Sequence, residues 1–164
     1  MFARMHRRFA LLRNLLLGGL LLAALEVAFA ALTVTESTTP SLGTLLSGAD
    51  LRNFILNTDN TVSGANAADY LFGAVSGDLT VKKTGGAQSA NILADNFSSF
   101  GGVTVLKVPC KWHTDAATFC DGSGINITVQ GSRHLLVGVD LRTDVVHSAG
   151  DLPTATYDIT VTLQ

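Results

Sequence analysis

Thr156-Tyr157-Asp158-Ile159-Thr160-Val161-Thr162-Leu163 alternates polar and apolar residues without a break. Successive side chains of a β-strand point to opposite faces. This stretch therefore buries Tyr157, Ile159, Val161 and Leu163 and keeps the three threonines and Asp158 wet. In a helix the same residues would be scattered around the whole circumference. Working back along the chain, Ile125, Ile127 and Val129 alternate with Asn126, Thr128 and Gln130. Leu135, Val137, Val139 and Leu141 make one apolar face against His134, Asp140 and Arg142, which reads as a single strand. Shorter strands are predicted at 32–35, 70–75, 79–82 and 103–108. After residue 30, nothing sustains the i, i+3, i+4, i+7 spacing of an amphipathic helix.

Turn formers separate these runs: Thr58-Asp59-Asn60, Ser76-Gly77-Asp78, Thr84-Gly85-Gly86, Ser99 to Gly102 and Asp121 to Gly124. Glycine and asparagine accept the positive φ of tight turns, and Asp and Asn side chains bond their own backbone. Many short strands at this spacing predict an all-β antiparallel sandwich, with a closed barrel as the rival architecture.

The N-terminus reads differently. Arg4, Arg7, Arg8 and Arg13 precede an apolar run from Leu15 to Leu25, and Ala28-Phe29-Ala30 places small residues where a signal peptidase inspects them. The apolar run is shorter than the roughly 20 residues of a membrane span. Residues 1–30 are thus expected to be a cleavable signal helix, and 31–164 a single exported domain in the periplasm, on the cell surface or secreted. Of the 13 acidic residues only Glu26 precedes residue 31, and of the 11 basic residues only the four arginines do, so residues 31–164 carry a net charge near −5. A mildly acidic domain without a basic stripe has no electrostatic footprint for nucleic acid or an anionic membrane. Cys110 and Cys120 form an even pair in an exported chain, which predicts a disulfide.

The motifs of catalysis are fragmentary. Lys83-Thr84-Gly85 matches one element of the serine β-lactamases, but no Ser-x-x-Lys nucleophile accompanies it. His113, His134 and His147 share no metal-ligand spacing. Neither a metal nor another cofactor is expected, nor an enzymatic activity. The residues that invite a binding role are Lys111, Trp112, His113 and Asp115, inside the cysteine loop. Trp112 can be an exposed platform on which a sugar stacks, or it can tuck against the sandwich and cover its end.

Three further stretches carry a likeness. They are Ala31-Leu-Thr-Val-Thr35 followed by Ser41-Leu-Gly-Thr-Leu-Leu-Ser-Gly48, then Tyr70-Leu-Phe-Gly-Ala-Val-Ser-Gly77, then Leu136-Val-Gly-Val-Asp-Leu141 through Ala149-Gly-Asp-Leu-Pro153 to the final strand. On these, residues 31–164 resemble a bacterial family of exported domains, the domain-of-unknown-function family 4402. Leu42 stands where that family has an aromatic before its Gly-Thr turn, and the Cys110 to Cys120 segment is an addition. The resemblance implies an immunoglobulin-like sandwich similar to spore-coat-U and pilin-like domains, without catalytic residues. It also implies an adhesive or structural role at the cell surface, with copies of itself or other surface proteins as partners. In pilins an N-terminal arm completes a neighbour's sheet. Here that arm would be residues 31–39, anchored by Leu32 and Val34. The last strand can belong to a complete sandwich or border an open groove. A secreted glycan-binding domain using loop 110–120 is the alternative.

Overall fold

The alternation read at 125–129 and 156–163 recurs in the computed structural model, which describes residues 31–46, 52–143, 145 and 154–164. In chain order the strands are β1 (Leu32–Thr38), β2 (Thr44–Leu45), β3 (Arg52–Leu56), β4 (Val62–Ser63), β5 (Tyr70–Phe72), β6 (Gly77–Phe100), β7 (Val103–Lys107), β8 (Pro109–Trp112), β9 (Thr118–Phe119), β10 (Ile125–Val137), β11 (Val139–Thr143) and β12 (Thr154–Leu163). A single 3₁₀ turn, Ala67–Asp69, is the one helical element among the described residues. The expected signal helix, the Ala149 to Pro153 stretch and His147 lie outside the described residues.

The named strands all pair antiparallel, and one isolated bridge, Ala94 to Asp121, is parallel. One sheet runs β1-β6-β10-β8-β9, with β12 also on β6; the second runs β4-β3-β11-β7; β2 and β5 form a small ribbon. The two larger sheets share one core. Phe54 and Leu56 come from β3 and Val103 and Val105 from β7, facing Val81 and Ile92 of β6 and Val129, Leu135 and Val137 of β10. Each fully buried Leu, Ile, Val or Phe contributes about 1.5–3 kcal/mol relative to an exposed one. This is a sandwich-like, all-β fold.

Three local expectations are corrected. Leu135 to Leu141 is not one strand: it breaks at Gly138, with Val137 paired to Cys110 in the first sheet and Val139 to Leu56 in the second. The apolar face is kept across the break, so all four predicted side chains are still buried. Thr84-Gly85-Gly86 does not turn the chain around. Lys83 pairs with Gly131 and Gln88 with Val129, so residues 84–87 bulge out of a continuous β6 opposite Gln130 alone. Gly85 and Gly131 both take positive φ there, at 91° and 66°, which lets two opposed strands kink together. Val75, placed in a strand by its sequence, lies beyond β5 and makes an isolated bridge with Ser41.

The edges of the first sheet differ. β1 and β12 lie on the same side of β6, β1 against residues 78–83 and β12 against residues 90–100. β12 shows strict alternation of wet and half-buried residues. β1 is wet on both faces from Thr33 to Ser37.

Candidate functional site

The Cys110–Cys120 disulfide ties the base of the β8–β9 hairpin, with the Cα atoms 5.8 Å apart and both residues fully buried. Across the same hairpin Pro109 pairs with Phe119 and Cys110 with Thr118. The loop tip between the strands is fixed at its start. His113 sits at φ 49° and donates its backbone N–H to the His134 carbonyl at 2.9 Å, and Asp115 donates to the Trp112 carbonyl at 2.8 Å.

The two placements open to Trp112 are decided by its register. It stands opposite Leu135, and residues directly opposite in an antiparallel pair share a face. Leu135 is in the core, so the indole is too, at 6% exposed. Its faces cannot serve as a stacking platform, and its role is to close the end of the core. Sequence could not decide this, because a four-residue strand that opens on Pro109 and ends in a polar loop carries no readable periodicity.

Because β8 stops at Trp112, it pairs only residues 135–137 of the thirteen-residue β10. Beyond that point β10 has no second neighbour among the described residues, and an open cleft of about 550 Å³ lies beside it. Its lining includes Trp112, His113 and Asp115 from the end of β8 and the loop beyond it, and Asn126, Thr128 and Arg133 of β10. Of the four loop residues named from the sequence, three therefore meet at one place, and Lys111 does not line it. Asn126, Thr128 and Arg133 were not singled out as binding residues. The alternation put Asn126 and Thr128 on a wet face, and only the end of β8 makes that face a wall.

The base of the cleft is held by a small amide network. The Asn126 side-chain oxygen accepts from Asn91 Nδ2 at 3.1 Å and from Gln164 Nε2 at 3.2 Å. In contrast, the side chains of His113, Asp115, Thr128 and Arg133 have no hydrogen bond or ion pair with any described residue. His134 points elsewhere, with Nδ1 2.8 Å from Asp78 Oδ1.

The other sequence candidates are dispersed. Leu32 is half-buried and Val34 is 40% exposed, both on β1, which is paired to β6 of its own chain. Lys83 is buried, and its ammonium donates to the Gly86 carbonyl at 2.6 Å and the Thr84 carbonyl at 3.4 Å. That contact braces the bulge, so the Lys-Thr-Gly fragment has a structural use. Among the described residues no group of three or more His, Cys, Asp or Glu is placed to hold a metal. Compared with protein-family models, curated proteins and solved structures, the chain matches none.

Proposed function

We propose that this chain is an exported, non-enzymatic surface module, a pilin-like sandwich of immunoglobulin-like topology that assembles with copies of itself. The observation that carries this reading is the free edge of β12. It pairs only with β6 among the described residues, runs for ten residues, and has Asp158 as its only charge. Natural sheets blunt such edges with lysine, proline, bulges or a cover, because a row of unpaired N–H and C=O groups recruits another strand. Here the stretch from Ile159 to Leu163 contains no lysine, no proline and no register shift.

The N-terminal arm adds to the reading. β1 buries almost nothing from Thr33 to Ser37, so its hold on β6 comes chiefly from backbone bonds. A strand held that way can leave its own sheet and be replaced by the same strand of a neighbour at small net cost. The test is light scattering after size-exclusion chromatography on residues 31–164, oxidised, with and without 31–39. Ladders from the longer chain that vanish from the trimmed one support exchange of the arm. Identical stable monomers from both would remove strand exchange as the means of assembly.

A further inference from the structure

The cleft beside β10 goes beyond that reading, because nothing in edge assembly requires it. We propose that it binds a short neutral saccharide. Its volume of about 550 Å³ falls within the range of about 300–1,000 Å³ typical of small-molecule clefts. Its chemistry narrows the ligand. Arg133 offers a planar fork of donors, Asp115 offers acceptors, and Thr128 and the His113 ring can do both. None of these four side chains has a hydrogen bond or ion pair with a described residue.

Arg133 and Asp115 line the same cleft yet form no ion pair. Oppositely charged groups that share a cleft without touching are available to something set between them. The charges cancel, so the cleft has no net attraction for an anion or a cation. A ligand whose own groups both donate and accept, without charge, satisfies all four side chains, and vicinal sugar hydroxyls have that property. The amide network of Asn91, Asn126 and Gln164 fixes the base in advance, which lowers the ordering cost of binding. The tryptophan contributes a closed apolar end wall, not a stacking face.

Trp112 is the only tryptophan in the chain and lines this cleft, so its emission reports occupancy directly. The protein is expressed from the full chain and purified with its disulfide formed. It is then titrated with neutral di- and trisaccharides of glucose, galactose, mannose and N-acetylglucosamine into the millimolar range. The expected result is a saturable change in Trp112 emission with at least one of them. Arg133→Ala and Asp115→Ala are each expected to weaken it about tenfold, with unchanged circular dichroism. Amide shifts of the unmodified protein provide a measurement that needs no variant, and they should cluster at residues 113–115 and 126–133. No response from any neutral sugar overturns the proposal. So does unchanged affinity in both folded variants, or a response only to uronic-acid sugars or to extended peptides.

Discussion

Gly138 has no room for a side chain. A Cβ built there would sit 2.0 Å from the Leu56 carbonyl oxygen, where the chain leaves one sheet for the other. Gly138→Ala must therefore push β3 away from β11, and both strands are anchored in the core by Leu56, Val139 and Leu141. Overpacking of this kind costs typically about 1–3 kcal/mol, and more where backbone is the obstacle. The variant is expected to lose about 3 kcal/mol or more, read as a lower urea midpoint with an unchanged slope. Sequence displays the alternation around this glycine but not the break, because the apolar face runs straight across it. Tyr157 supports a second prediction at this scale. Its hydroxyl donates to the Gly138 carbonyl at 3.2 Å, and burial, with a smaller contribution from the Glu36 charge, pushes its pKa up from 10.0. The folded state thus keeps a proton that the unfolded state releases. Stability from this group is complete below about pH 10 and is lost as pH rises toward the folded value. Tyr157→Phe should flatten the alkaline side of a stability–pH curve above that point and leave its neutral region nearly unchanged in slope.

Elements were legible where one face is buried and the other is wet. β12 and the first half of β10 follow the sequence pattern because each turns a single face to the core. β6 was seen only in part: its 24 residues include Thr84-Gly85-Gly86, which has turn chemistry but lies in a bulge. The local signal is the same in both cases, and only pairing with β10 on either side keeps the chain going forward. β8 and β9 were invisible, being four and two residues long, and with them the wall of the cleft. Their hairpin depends on the covalent tie. An eleven-residue loop closed by a disulfide stabilises by about 3 kcal/mol on the chain-entropy description. Replacing Cys110 and Cys120 together with Ser is expected to cost at least that amount, since two fully buried sulfurs are exchanged for hydroxyls. A fall in the guanidinium midpoint measures it. The loss of Trp112's near-ultraviolet circular dichroism, at denaturant concentrations where the far-ultraviolet signal persists, would show that the hairpin detaches first.

At the scale of the molecule, β12 and β1 follow one another along a single side of β6, the end of β12 at Ala90 and the start of β1 at Lys83, with the 84–87 bulge between them. The two strands run in the same direction and behave as one interrupted edge. Their outward backbone groups can be assigned. Gln164 donates its N–H to Ser89, so alternation turns the N–H groups of Thr160 and Thr162 toward β6 and those of Ile159, Val161 and Leu163 away from it. Proline at position 161 would therefore delete a donor on the free edge without removing one from the β6 ladder, which is where proline is tolerated in sheets. A two-fold axis through the bulge would set β12 of one copy antiparallel to β1 of the next, and the reverse, so both halves of the edge are satisfied at once. Val161→Pro is thus expected to shift sedimentation velocity profiles toward the monomer while the thermal midpoint stays within a few degrees of the parent. Loss of both assembly and fold would show that position 161 is needed for the sandwich itself. Unchanged assembly in a folded variant would mean that copies meet elsewhere than the β12 edge.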